Sequence, residues 1–173
     1  MRAALPALAA MILVGCSQPA APPAADSAAS TPAATPAAAP AGRTDAQRQA
    51  ALAALPAPYN TANLENGQGR FALCRSCHTI TEGGAAMTGP NLYGVVGRRA
   101  GSAPGFTYSD GLRNAGFTWD AAHLETWLTN PRAMIADTRM TYAGMPDPNA
   151  RRDLIAYLMV EGAPAPAAAP AAH

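Results

Sequence analysis

The 173-residue chain contains no lysine. Its twelve basic side chains are all arginine, eleven acidic residues nearly cancel them, and the formal net charge is +1. The basic stripe that nucleic acid demands is therefore missing. With three cysteines and three histidines, a zinc centre built from two cysteine pairs is out of reach. The apolar run from Ala3 to Val14 has twelve residues, short of the roughly 20 needed to span a bilayer.

That run follows a single positive charge at Arg2 and ends in Leu13, Val14, Gly15 and Cys16. Its length suits a secretory signal, and its end resembles a bacterial lipobox, in which cleavage before the cysteine leaves that residue for lipid attachment. Residues 1–15 are thus expected to be a signal peptide and Cys16 a membrane anchor on an exported chain. From Ser17 to Gly42 the chain is almost entirely Ala, Pro, Ser and Thr, with six prolines and no aromatic residue. Such a segment cannot bury enough apolar surface to fold, so residues 16–58 read as anchor plus linker. Thr44 to Leu55 can form one short helix there, capped by Thr44 or Asp45 and stopped by Pro56. Residues 163–173 repeat the Ala/Pro bias and are expected to be a disordered tail. The informative domain is residues 59–162.

Within it, "CRSCH" places Cys74, Cys77 and His78 together. A thioredoxin-type pair would sit beside alternating strands, which the Gly/Arg-rich and Thr/Gly-rich flanks do not show. Zinc would need a fourth ligand, and besides His78 there are only His123 and His173. Covalent haem attachment fits: side chains three apart on a helical turn share a face about 5–6 Å apart, within reach of two neighbouring vinyl groups. The adjacent His78 then meets the iron. Export strengthens this reading, because free thiol pairs tend to oxidise in such compartments.

A first helix is expected from about Thr61 to Cys77. Gly67 and Gly69 each weaken it by roughly 1 kcal/mol, and close approach of another helix would explain them. A second helix spans about Asp120 to Thr129, with Thr118 as cap, Leu124, Trp127 and Leu128 on one face, and Asn130-Pro131 as the stop. The last is capped by Asp147, starts at Pro148, carries Leu154, Ile155 and Leu158 on one stripe and stops at Gly162. Between His78 and Phe117 the sequence is dominated by Gly, Pro, Thr and Ser without strand alternation. A structureless stretch this long is unusual in a compact domain, unless loops wrap a buried macrocycle. The domain without haem is accordingly expected not to fold stably.

Haem iron has a second axial position, and its occupant separates a carrier from an enzyme or sensor. Candidates are Met87, Met134, Met140, Met145, Met159 and His123. Met159 and His123 sit in helices, and Met87 is too near His78 in the chain to reach the opposite face easily. Met140 and Met145, in the loop before the last helix, remain.

The stretches "CRSCHTI", "TGPNLYGVVGRRAGSAPGFTYSDGLRNAGFTW", "WLTNPRAMIADTRMTYAG" and "RRDLIAYL", with their intervals, make residues 67–160 resemble a class I cytochrome c of the mitochondrial and alphaproteobacterial type. The resemblance implies an all-α fold with three main helices and long loops wrapped around one covalent haem c. It places the axial methionine at Met140, with Met145 the fallback. It further implies that the Pro90 carbonyl accepts a hydrogen bond from His78, that Tyr108, Trp119 and Arg98 hold a haem propionate, and that Thr138 positions the loop before Met140. The chain departs from the family where Trp127 replaces a tyrosine, Leu112 an asparagine and Ala86 a histidine. Those changes bear on the potential, not on attachment.

The function so implied is one-electron transfer by a monomer anchored on the periplasmic face of the inner membrane, from a quinol-oxidising complex of bc1 type to a terminal oxidase or another periplasmic acceptor. The alternative is a peroxidase-like or ligand-sensing haem protein with an open iron site. Lysines ring the haem edge in mitochondrial relatives, whereas Leu73, Met87, Pro146 and Asp147 stand at matching positions here. Long-range steering should be correspondingly weak.

Overall fold

The computed structural model describes residues 42–164. The signal peptide, Cys16, nearly all of the Ala/Pro-rich linker and most of the tail lie outside the described residues.

Six α-helices and one 3₁₀ turn form the body: α1 (Asp45–Ala53), the turn Tyr59–Thr61, α2 (Leu64–Phe71), α3 (Asp110–Arg113), α4 (Ala121–Thr129), α5 (Pro131–Met134) and α6 (Pro148–Glu161). Among the described residues there is no strand, only an isolated antiparallel bridge between Arg99 and Thr118. The all-α architecture expected from the sequence is therefore the one observed.

The longest helix, α6, is the axis on which α1, α2 and α4 pack. Asp147 caps it, its carboxylate accepting from the Asn149 amide at 2.9 Å, Pro148 occupies the first turn, and Gly162 ends it. Leu154, Ile155 and Leu158 are buried, at 1%, 0% and 5% exposure, so the stripe read from the sequence faces the core. α2 crosses α6 at Gly67. α4 supplies Leu124, Trp127 and Leu128 to the same core.

Four local features differ from the sequence reading. The first helix is shorter than 61–77. Asn63 caps it by accepting from the Asn66 amide, and beyond Phe71 the backbone tightens into i→i−3 bonds, Leu73 to Arg70 at 3.2 Å and Cys74 to Phe71 at 2.8 Å. The cap of α4 is Asp120, which accepts from the His123 amide at 2.8 Å. Thr118 is instead committed to its bridge with Arg99. Asn130 not only ends α4 but caps α5, accepting from the Ala133 amide, with Pro131 in the first turn. Gly69 also departs from the close-approach explanation, because nothing lies within 4 Å of where its Cβ would be.

α1 has a full capping box: the Thr44 hydroxyl accepts from the Gln47 amide and the Gln47 side chain accepts from the Thr44 amide. Leu52 packs with Ala62, Ala156 and Val160 in a second small core, so α1 is seated on α6. Arg43 donates to the carbonyls of Val160, Ala163 (3.2 Å) and Pro164 (2.5 Å). The Val160 carbonyl is one of those that the end of α6 leaves without an intrahelical partner.

Candidate cofactor site

Cys74 and Cys77 lie on the tightened turn after α2. The Cys77 amide donates to the Cys74 carbonyl at 3.0 Å and the His78 amide to the same carbonyl at 2.9 Å, which brings both thiols and the imidazole to the wall of a single cavity of about 460 Å³. No disulfide joins the two cysteines. Burial, and then the neighbouring Cys77, push the Cys74 thiol up to about 11.

His78 is fixed from two sides. Its Nδ1–H donates to the Pro90 carbonyl at 2.8 Å, which leaves Nε2 as the unprotonated nitrogen. Burial lowers its pKa and the bond to Pro90 opposes that shift, so the ring is held as a neutral donor. On its face sits Gly89, where a Cβ would lie 2.3 Å from the His78 Cε1. Gly89 is thus a cradle for the ring, and sequence reasoning missed it; the only local signal is the Gly-Pro pair before Asn91. Asn91 was missed as well. Its Nδ2 is shared among the Thr79 hydroxyl and the Thr81 and Gly84 carbonyls at 2.8–2.9 Å, which ties the loop after His78 to the strut that carries Pro90.

Of the six candidates for the other axial position, only Met140 lines this cavity. Met145 is buried in the core at 6% exposure, and its amide donates to the Leu128 carbonyl at 2.7 Å. Met87 is half exposed, at 50%. His123 stacks on Phe117 and pairs with Asp120 at 2.7 Å. Thr138, 3% exposed, accepts from the Met140 amide at 3.2 Å.

Tyr108, Trp119 and Arg98 all reach the same cavity. Trp119 and Trp127 meet edge to face at 5.4 Å, and Leu112 completes that wall. Arg98 donates through both terminal nitrogens to the Tyr93 and Asn91 carbonyls, at 3.0 and 2.9 Å. It stands at the cavity as an anchored cation. Ala86 is exposed and away from the cavity.

These residues suit haem c. Two thiols on one turn, an imidazole with a free Nε2 seated on a glycine that leaves no room for a side chain, a thioether sulfur and otherwise mainly apolar walls form one donor set. Haem brings one-electron exchange at iron.

No protein-family model matches the chain. It is 38% identical over 112 residues to cytochrome c2 of Rhodomicrobium vannielii, covering 65% of this chain and 90% of that protein. A cytochrome c2 of Rhodoplanes tepidamans is 44% identical over 96 residues, 56% of this chain and 90% of the relative. Among solved structures, cytochrome cH from Methylobacterium extorquens superposes with a TM-score of 0.53 at 40% identity, covering 56% of this chain and 97% of that one.

Proposed function

Because the chain belongs to the class I cytochrome c family and is a monohaem electron carrier, we propose that Cys74 and Cys77 hold its haem c and that His78 and Met140 bind the iron. The observation that carries this assignment is that Met140 alone of the six candidates shares a cavity with both cysteines and His78. With nitrogen and sulfur on the iron, no position is open for a substrate. A soft thioether favours ferrous iron and burial disfavours the extra ferric charge, so both raise the potential. Pro90 sets the His78 tautomer, Thr138 holds the Met140 amide, and Tyr108, Trp119 and Arg98 face the propionates.

The carrier is anchored by lipid at Cys16 on the periplasmic face of the inner membrane. Residues 1–15 are its signal, 16–58 its anchor and linker, 59–162 the redox domain and 163–173 a tail. It passes electrons from a bc1-type complex to a terminal oxidase or another periplasmic acceptor. The domain holds nine arginines and nine acidic residues between 59 and 162, and Leu73, which lines the cavity, is 64% exposed. An exposed leucine at the cavity, on a polypeptide that is neutral before haem is added, favours short-range docking over electrostatic steering, and anchoring supplies the encounter by raising effective concentration.

Visible spectroscopy tests the ligand set. Ferric holoprotein should be low-spin with the weak sulfur-to-iron charge-transfer band; Met140→Ala should lose that band and, once reduced with dithionite, bind carbon monoxide. A high-spin wild-type iron that takes carbon monoxide readily would instead make this a haem enzyme or sensor.

A further inference from the structure

The loop that carries Met140 has no regular secondary structure between Thr141 and Asp147, so something else must hold the sulfur in place. The tightest restraint lies at Met145, where both backbone groups are engaged. The Met145 amide donates to the Leu128 carbonyl of α4 at 2.7 Å. The Met145 carbonyl accepts from Arg151 Nη1 of α6 at 2.6 Å, in a buried hydrogen bond. The same guanidinium donates through Nε to Glu125 Oε1 of α4 at 2.8 Å. One side chain therefore joins two helices and the loop, and its side chain is only 11% exposed. Next to this pin, Gly144 takes φ +101, and a Cβ there would lie 2.1 Å from the Thr129 carbonyl oxygen. The loop backbone is thus seated directly on the end of α4.

We infer that Arg151 is a positioning residue for Met140: by fastening the Met145 carbonyl to α4 and α6, it sets how often the loop opens and the sulfur leaves the cavity. Arginine is needed because two acceptors in different directions must be met by one rigid fork; a lysine can serve them only as a single point donor. Breaking the fork leaves a buried carbonyl or a carboxylate short of its partner, which raises the free energy of the closed loop but not of the open one. The inference rests on Met140 being an iron ligand.

The test is the rate at which ferric holoprotein binds cyanide, which reaches the iron only after the sulfur departs. Amide exchange at Met145 is followed in parallel, since it reports the same opening without the iron. In Arg151→Lys, cyanide binding should be at least about tenfold faster, the loss of one charge-assisted hydrogen bond, with Met145 exchange faster in step. Glu125→Gln should move both the same way by less, and carries the test if Arg151→Lys does not take up haem. Arg48→Gln, which removes a pair with Glu161 at the other end of α6 (2.7 Å), should change neither rate. Arg151→Lys or Glu125→Gln opening at the wild-type rate while the global unfolding midpoint falls would overturn the inference and leave the ligand assignment standing. A wild-type protein without the sulfur band would overturn both.

Discussion

Gly67 of α2 lies so close to Asp153 of α6 that a Cβ on the glycine would stand 2.2 Å from the Asp153 carbonyl oxygen and 2.7 Å from the Tyr157 Cβ. Gly67→Ala must therefore push the two helices apart, with an expected loss of about 1–3 kcal/mol from overpacking. Gly69, two residues on, faces open space, and Gly69→Ala should stabilise by about 1 kcal/mol through helix propensity. Guanidinium unfolding of the two holoprotein variants checks the pair; equal shifts of one sign would refute the crossing.

Met145 and Met140 should separate cleanly. Met145→Ala empties a buried core position and is expected to cost about 2–5 kcal/mol, yet to keep the sulfur-to-iron band. A Met145→Ala protein that lost the band at normal stability would identify Met145 as the ligand instead.

Asp153 gives acid sensitivity. Burial alone would raise its pKa, but hydrogen bonds from the Asn66 side chain at 2.7 Å, the Asn63 amide at 3.1 Å and the Arg152 guanidinium more than offset this and leave it below the usual carboxylate value. A folded pKa below the unfolded one means that the native state binds fewer protons. The stabilisation is therefore complete above about pH 4 and is lost as pH falls through the folded value. Asp153→Asn should be less stable than wild type by about 1.5–3 kcal/mol at pH 7, with the difference shrinking below about pH 4. A difference that is independent of pH would show that the charge is not what matters.

These interactions also mark how far the sequence could be read. Cys74, Cys77 and His78 were legible because their relation is one turn of backbone, and so were both ends of α6, where Asp147, Pro148 and Gly162 act on their own neighbours. Met140 could be narrowed to a pair from the residues alone, and the family resemblance pointed to one of them. The cap of α4 was misplaced because Thr118 is claimed by Arg99, a partner nineteen positions away. Gly89, Asn91 and Arg151 escaped notice for the same reason: each acts through atoms brought near only by the fold. Gly67 and Gly69 look alike in sequence, and only the position of α6 distinguishes them.

The cavity predicts what haem contributes to folding. At roughly 24 cal/mol per Å³, leaving about 460 Å³ unfilled would cost on the order of 10 kcal/mol, an upper bound for a site partly open to water. That is comparable with the whole stability of a domain, about 5–15 kcal/mol. A Cys74→Ala, Cys77→Ala protein without haem should show no cooperative thermal transition by circular dichroism; a native-like spectrum with a sharp transition would contradict this.

Anchoring can be tested by its kinetics. A form lacking residues 1–42 keeps Arg43 and α1, so the folded body should be intact. Its turnover with membranes should fall chiefly through a higher apparent KM, with a weak dependence on ionic strength. Unchanged KM, or a steep decline with salt, would point to electrostatic capture by a soluble carrier.

The grip of Arg43 on the carbonyls of Val160, Ala163 and Pro164 brings the start and finish of the folded region to one corner of the molecule. A dye, a bead or an electrode linker grafted at either extremity would consequently hang from the same spot and present the same hemisphere to its surroundings.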